Sequence, residues 1–289
     1  MRIIPASELV INADGTIFHL HLKPEQLADR IVLVGDPARV TAVASYFDTQ
    51  ECEVSNREFH TITGMYQGKR ITVVSHGIGT DNIDIVLNEL DALANIDFAT
   101  RTVRPVFRQL TLVRVGTSGG LQPFTPIGTY VAAEKSIGFD GVLYFYARNE
   151  EVRDLPFEAE LLRQLEWKLK RLSPYVVSAD PSLVEQIGKD EIVRGVTIAA
   201  NGFYGPQGRE LRLSLADPAL NRKIEAFQYG RYRITNFEME SSSLAGLSAL
   251  MGHRALTVCC IIAGRVNKNM NTDYKNSLKD LIEKVLVRI

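Results

Sequence analysis

The sequence predicts a single-domain α/β protein, and three observations support this fold class. Short apolar runs of strand length, at residues 31–34 and 71–75, are each followed by a glycine-containing turn and then by a helical pattern. A third apolar run, at 110–115, also ends in a glycine-rich stretch. Neither a repeat of fixed period nor a linker-like segment divides the 289 residues. Strands that alternate with helices favour a largely parallel sheet, in which ligands bind at the carboxyl ends of the strands.

The chain is predicted to begin with an N-terminal extension, residues 1–16, followed by the folded domain, residues 17–289. Residues 17–22 alternate in the manner of an edge strand, which would place His19 and His21 on one face.

Two strand, turn and helix units follow. In the first, at residues 31–45, the turn Gly35-Asp-Pro-Ala-Arg39 has a proline suited to the first turn of a helix and ends in an arginine. In the second, a hairpin-like pair of strands precedes the strand at 71–75, which passes through His76-Gly-Ile-Gly79 into a helix from about Asp81. Both turns lie at the carboxyl end of a predicted strand, where a binding site is expected.

Arg114 is the most informative residue of the third run. An interior parallel strand is buried on both faces, so an arginine there needs an anion or a protein carboxylate as its partner, and the sequence leaves both alternatives open. We predict that the strand ends at Val115 and that the following glycines form a turn, in which backbone N–H groups and the hydroxyls of Thr117 and Ser118 face an anion. The stretch is neither a Walker loop nor a dinucleotide fingerprint.

The rest of the chain continues the alternation of strands and helices. Strands are predicted near 128–133, 197–200, 233–237 and 255–262, and helices near 157–172 and 275–287. A polar, aromatic and glycine-rich loop occupies 201–209, and Glu238-Met-Glu240 precedes a helix of small residues.

Bulk composition is that of an ordinary globular protein, with 45% hydrophobic residues, 23% charged residues and a formal net charge of −1. This balance argues against a nucleic-acid partner. We expect a cytoplasmic protein that does not enter membranes, because the sequence has no secretory-signal pattern and no apolar run of membrane-spanning length. Cys52, Cys259 and Cys260 form neither a disulfide framework nor a zinc-ligand spacing, so no metal site is predicted.

Six short motifs follow one another along the chain: Gly35-Asp-Pro-Ala-Arg39, Arg57-Glu-Phe59, Gly77-Ile-Gly79, Arg114-Val-Gly-Thr-Ser-Gly119, Phe203-Tyr-Gly-Pro-Gln207-Gly-Arg209 and Asn236-Phe-Glu-Met-Glu-Ser241. With these motifs in this order, the chain resembles the hexamer-type nucleoside phosphorylases, and most closely the members that act on uridine. The resemblance covers nearly everything from Phe18 onward. It implies a nucleoside phosphorylase-like α/β fold, with a central mixed sheet partly rolled into a barrel and flanked by helices.

The resemblance implies a phosphate site formed by Gly35, Arg39, Arg114 and Thr117. Arg57 matches the arginine that the family donates across a subunit interface to the neighbour's phosphate. The alternative for Arg57 is a surface ion pair with Glu58 or another carboxylate. Arginine suits a phosphate site because its planar guanidinium group can bind two phosphate oxygens at once.

The resemblance also implies a ribose site formed by His19, Met239 and Glu240. Glu240 would accept hydrogen bonds from the sugar hydroxyls, Met239 would pack against the ring, and His19 would reach the 5′-hydroxyl in a neighbouring subunit. By the same match, His21 has no role in the site. The alternative for Glu-x-Glu at a helix start is an electrostatic complement to the helix dipole.

For the base, the resemblance points to Phe203, Gln207, Arg209 and Arg265. Gln207 can donate to O2 of uracil and accept from N3–H, while Arg209 donates to O4. In cytosine, the amino group would face Arg209. Both groups are hydrogen-bond donors, so buried polar groups would be left unpaired. Purine-selective relatives tend to carry an aspartate where this chain has Ala263-Gly-Arg265.

The implied reaction is phosphorolysis of uridine to uracil and ribose 1-phosphate, with Arg39, Arg114, Gln207 and Arg209 as the catalytic residues. Phosphate is the co-substrate and no cofactor is expected. Whether a monovalent cation binds near Glu58 stays open. After Gly79 this chain has Thr80-Asp-Asn82, where the family more commonly has small residues and a serine.

The expected assembly is a homo-oligomer, a dimer or a hexamer of dimers, because Arg57 and His19 would act across an interface. Three alternatives to this function remain at this point: a purine nucleoside phosphorylase, a nucleosidase of the same superfamily that uses water, and a nucleoside-binding protein without turnover.

Overall fold

A mixed sheet forms the centre of the fold in the computed structural model, which describes residues 2–264, 269–271 and 273–289. The strands are β1 (Arg30–Val34), β2 (Thr49–Asn56), β3 (Phe59–Tyr66), β4 (Lys69–Ser75), β5 (Ile96–Asp97), β6 (Thr102–Val103), β7 (Thr111–Gly120), β8 (Tyr130–Gly138), β9 (Tyr175–Ser178), β10 (Ile192–Ala199), β11 (Gln228–Tyr229), β12 (Tyr232–Glu238), β13 (Arg254–Gly264) and β14 (Asn269–Met270). The helices are α1 (Pro37–Ala44), α2 (Thr80–Asn95), α3 (Leu155–Gln164), α4 (Pro181–Ile187), α5 (Leu220–Ala226), α6 (Ser241–Met251) and α7 (Lys275–Arg288).

The sheet closes on itself over part of its width. Its main path runs β11-β12-β10-β8-β13-β7-β1-β4-β3-β2, and β12 also pairs antiparallel with β7. That pairing joins Asn236 to Gly120 and Phe237 to Gly119, so β12, β10, β8, β13 and β7 form a ring. This confirms the predicted mixed sheet partly rolled into a barrel.

Helices cover both faces of the sheet, which explains the continuous apolar run of β1. Val32 and Val34 pack in one core cluster with residues of α1, α4 and α7, whereas Ile31 and Leu33 pack in a second cluster with residues of α2 and α6. A third cluster fills the space beneath α3 and α5. None of the helices within the described residues is long and apolar enough to cross a bilayer.

Parallel pairing brings several strand ends to one edge. β1 runs parallel to both β4 and β7, and β13 runs parallel to β7. The turn after β1, the turn after β4 and the glycine-rich end of β7 therefore meet, as the alternating pattern predicts.

Three local predictions from sequence were wrong. β7 does not end at Val115 but continues to Gly120, because β13 pairs with it through Gly119 and Gly120 and β12 pairs with the same two residues. Residues 17–22 form no strand, since His21 has a left-handed φ of 52° that breaks the extended chain. The helix predicted at 157–172 is α3, which ends at Gln164.

Residues ahead of position 17 lie against the domain rather than apart from it. Leu9 is buried in the same core cluster as α2, Ile11 forms an isolated bridge with Ile17, and the Ile4 N–H donates to the Arg101 carbonyl at 2.9 Å. The boundary after residue 16 stays a prediction.

Candidate active site

One cavity of about 1100 Å³ lies where the ends of β1, β4 and β7 meet. Its walls include nine of the residues predicted for the site: Gly35, Arg39, Arg114, Thr117, Phe203, Gln207, Arg209, Met239 and Glu240. Their convergence is consistent with the predicted grouping, while the role of each residue stays a prediction. Arg265 lies outside the described residues, although its neighbours Ala263 and Gly264 line the cavity.

Arg114 is buried at one wall and is surrounded by partners. Its Nη1 donates to Glu238 Oε2 at 3.0 Å and its Nη2 donates to Glu240 Oε2. Burial lowers the pKa of Arg114, but the charges of Glu240 and Glu238 outweigh it and leave the pKa above its ordinary value. The carboxylate partner considered from the sequence is therefore present, and the arginine also faces the cavity.

Arg39 brings a second positive charge to the same end of the cavity. The arginine is half-buried, and its Nη1 donates to the Val115 carbonyl at 3.3 Å. Burial lowers the pKa of Arg39, and the nearby charge of Arg114 lowers it further. A bound anion beside Arg39 would offset the burial and the repulsion that lower its pKa, whereas the charge of Arg114 is already balanced by Glu238 and Glu240.

Gly116 makes room for the guanidinium group of Arg114. A Cβ atom at position 116 would lie 2.5 Å from Arg114 Nη1 and 2.9 Å from its Cζ, both far inside van der Waals contact. Gly116 is therefore needed because the Arg114 guanidinium group lies against its backbone, and not because the chain turns there.

Glu238 and Glu240 lie at the start of α6 and are both buried. Glu238 accepts hydrogen bonds from the N–H groups of Glu240 and Ser241 and from the Ser241 hydroxyl, so it caps the helix. Glu240 Oε1 accepts from Gly79 N–H at 2.8 Å. Burial raises the pKa of the Glu240 carboxyl group, while Arg114 opposes this shift. Glu238 thus has the contacts expected from the helix-start alternative, and both Glu238 and Glu240 line the cavity.

His76 is a buried neighbour of the anion-binding end that the sequence analysis did not single out. Its Nε2 accepts from Arg114 Nε at 3.2 Å. Burial lowers the pKa of His76 well below 6.5, and the charges of Arg114 and Arg39 add to the shift, so the ring is neutral at pH 7. Its position in the turn after a buried strand was the available signal.

Cys259, on the neighbouring β13, is also buried, with its sulfur 3.6 Å from Arg114 Nη1. Burial raises the pKa of the Cys259 thiol to about 12. The thiol is therefore protonated at pH 7 and does not offset the charge of Arg114.

Phe203, Gln207 and Arg209 line another part of the cavity. Arg209 Nη1 donates to Gln207 Oε1 and to the Phe203 carbonyl, each at 2.6 Å, and its guanidinium group lies 3.7 Å from the centre of the Phe203 ring. Gln207 ends a short 3₁₀ helix, Gly205–Gln207, and Gly208 follows with a φ of 67°. The loop thus holds an amide and a guanidinium group side by side beside an aromatic ring.

His19 and Arg57 are not among the residues that line this cavity, and they lie close to each other. The rings of His19 and Phe18 have centroids 4.7 Å apart, and the Arg57 guanidinium group lies 5.9 Å from the Phe18 ring. Arg57 forms no ion pair with any carboxylate of the described residues, so its predicted alternative, a surface ion pair, is not seen there.

The cavity has further walls that sequence reasoning missed. Several polar and apolar side chains from α5, β14 and the start of α7 line it: Asn221, Glu225, Asn269, Met270 and Tyr274. No cluster of three or more metal-ligating side chains occurs within the part of the chain that the structure describes.

Residues 29–286 match the family model described as Phosphorylase superfamily. This chain belongs to the phosphorylase superfamily.

Individual relatives agree with the family match. A uridine phosphorylase from Thermococcus kodakarensis is 30% identical over 261 residues, which cover 88% of this chain and 79% of the relative. One from Escherichia coli is 28% identical over 261 residues, which cover 88% of each chain. A solved Trypanosoma brucei nucleoside phosphorylase, described as showing uridine phosphorylase activity, matches with a TM-score of 0.88 and 28% identity, covering 97% of this chain and 100% of that one.

Proposed function

We propose that this protein is a pentosyltransferase that cleaves uridine by phosphorolysis, giving uracil and ribose 1-phosphate. The observation that carries the proposal is that one and the same cavity is lined by the arginine pair and by the Phe203, Gln207 and Arg209 group. Relatives named uridine phosphorylase, similar over most of the chain, support the choice of substrate.

At the anion end, Arg39 and Arg114 would hold phosphate together with Gly35 and Thr117. A phosphate oxygen attacks C1′ of the nucleoside from the face opposite the base, the new C1′–O bond forms, and the C1′–N1 bond breaks with its electron pair going to the base. The transition state resembles an oxocarbenium ion, so a clamped phosphate dianion stabilises it. Glu240 would bind the sugar hydroxyls and Met239 would pack against the ribose ring.

At the base end, Gln207 and Arg209 would stabilise the negative charge that grows on the departing uracil. Their mutual hydrogen bond supports their acting as one recognition group. Ala263 and Gly264 line the cavity where purine-selective relatives tend to carry an aspartate, which argues against a purine substrate. The contribution of Arg265 stays a prediction.

Arg57 and His19 would complete the cavity of a second copy of the chain. Their separation from the cavity of their own chain and their proximity to each other support this arrangement. The site then requires at least a dimer. Phosphate serves as a co-substrate, and the cytoplasmic location expected from the sequence stays a prediction.

Base release from uridine, thymidine, cytidine and inosine, each with and without phosphate, tests the proposal. We expect uracil release from uridine only when phosphate is present, and little release from cytidine. Hypoxanthine release from inosine would instead indicate a purine phosphorylase. Release without phosphate would indicate a nucleosidase, and tight nucleoside binding without release would indicate a binding protein.

A further inference from the structure

Glu89, on α2, holds the segment that carries His19. Its carboxylate accepts hydrogen bonds from the His19 N–H at 3.0 Å and from the Leu20 N–H at 2.8 Å. The same carboxylate lies 2.6 Å from His19 Nδ1. Asn56 adds a fourth contact, because its Nδ2 donates to the His19 carbonyl at 2.8 Å.

These contacts decide which ring nitrogen of a neutral His19 carries the proton. A carboxylate accepts hydrogen bonds and does not donate them, so Nδ1 carries the proton and donates to Glu89. Nε2 is then the acceptor, and no residue in the described ranges forms a hydrogen bond with it. The His19 side chain keeps 26% of its surface exposed, while that of Glu89 keeps only 12%.

We propose that Glu89 is a positioning residue that fixes the Nδ1–H tautomer of His19 and so presents Nε2 as an acceptor for the 5′-hydroxyl of a nucleoside bound by a second copy of the chain. This inference rests on the proposed function for its ligand. The orientation of the ring is set before the two chains meet, since every contact that fixes it lies within one chain.

The variant Glu89→Gln tests the proposal. Glutamine has a single acceptor oxygen for three donors, so the tautomer of His19 is no longer imposed. With wild-type protein, we expect kcat/KM to be about tenfold higher for uridine than for 5′-deoxyuridine, because the latter lacks the hydroxyl. In Glu89→Gln, the value for uridine should fall nearly to that for 5′-deoxyuridine, while the value for 5′-deoxyuridine stays close to that of the wild type.

The matched control is Glu151→Gln, which removes an exposed carboxylate paired with Arg148 and should leave both substrates unaffected. A loss of the same factor for both substrates in Glu89→Gln would overturn the proposal in favour of a merely structural role. Equal activity of the wild type on both substrates would also overturn it.

Nitrogen-15 NMR of the imidazole ring gives a readout that needs neither activity nor a folded Glu89→Gln variant. The His19 signals, assigned by their loss in His19→Ala, should show a protonated Nδ1 and an unprotonated Nε2 in the wild type. The opposite tautomer would overturn the role of Glu89. Absence of uridine phosphorolysis together with the expected tautomer would contradict the proposed function alone.

Discussion

Arg114 is both a wall of the cavity and the counter-ion of two buried carboxylates. Its Nη1 and Nη2 atoms bind Glu238 and Glu240, and Glu240 also accepts from the turn after β4. A phosphate ion at this position would have to share the guanidinium group with these carboxylates. The same side chain therefore links the anion end of the cavity to the ribose end.

Arg114→Ala should lower kcat/KM for phosphorolysis by at least about 100-fold, because the transition state loses its clamped anion. It should also destabilise the protein by about 3 to 5 kcal/mol, because Glu238 and Glu240 lose their buried partner. Steady-state kinetics and urea denaturation measure the two effects.

The matched variant is Arg114→Lys, which keeps the charge but not the planar fork. It should recover much of the lost stability and little of the activity. Unchanged activity in Arg114→Ala would contradict the assignment of this residue to the site.

The buried thiols lead to a second prediction. Burial raises the pKa of Cys259 from 9.0 to about 12 and that of Cys260 from 9.0 to about 11, while Cys52 is only half-buried. Iodoacetamide at about pH 8 should therefore label Cys52 in the folded protein, and the other two only after unfolding. Peptide mass mapping follows the labelling, and modification of folded Cys259 at the rate of Cys52 would contradict the burial.

The pH dependence of stability has a defined sign for Cys259. Above pH 9.0 the unfolded chain loses the thiol proton, whereas the folded chain keeps it until about pH 12. The free energy of unfolding therefore falls as pH rises through this window, and Cys259→Ser should remove that part of the fall.

At the scale of elements, β7 positions most of the anion end. It carries Arg114 and Thr117, and it pairs with β1, β13 and β12. Its glycines permit these close approaches, because Cβ atoms would collide at 116 with Arg114 and at 120 with the Thr125 carbonyl, 2.3 Å away.

Gly116→Ala should leave the sheet intact but displace the guanidinium group of Arg114, because the new methyl group would lie 2.5 Å from Nη1. We expect kcat/KM with respect to phosphate to fall by about 10- to 100-fold. The control is Gly141→Ala, since a Cβ there meets nothing within 4 Å and φ is −122°. Equal kinetics for the two variants would contradict the role of Gly116.

The local sequence pattern was sufficient to predict the elements whose first and last residues are determined by neighbouring residues in the chain. The strands β1, β4 and β13 and the helices α1 and α7 were predicted close to their observed bounds, because apolar runs, Pro37 and the helical spacing near the C-terminus act within a few residues. The end of β7 was missed because its last residues are held by strands that lie more than a hundred residues further along.

The same distinction applies to the site. Motif order was enough to nominate the residues that converge on the cavity, such as Arg39 and Gln207. Two contacts could not be predicted in this way: that of His76 with Arg114 and that of Glu89 with His19. Both depend on how separate elements pack against each other, which a local sequence pattern does not indicate.

At the scale of the whole molecule, the position of Arg57 and His19 outside their own cavity leads to a mixing experiment. Arg57→Ala and Arg114→Ala should each be nearly inactive alone. In a mixed dimer, one of the two sites combines an intact Arg114 from one chain with an intact Arg57 from the other. Random exchange of subunits should therefore restore about a quarter of the wild-type activity.

Subunits are exchanged through mild denaturation and refolding, and light scattering follows the mass of the assembly. No recovery in the mixture, with dimers re-formed, would contradict action across an interface. A refolded sample of either variant alone serves as the negative control, and its activity should not recover.

The strand order of the sheet has a consequence for synthesis. β7 can pair with β1 as soon as residue 120 has been made, but its other long neighbour, β13, begins only at Arg254. A nascent or truncated chain that stops before Arg254 therefore carries an unpaired edge along the strand of Arg114. Such an edge is a template for pairing with other chains, so the segment from Arg254 onward, which is made last, protects the earlier part of the chain from aggregation.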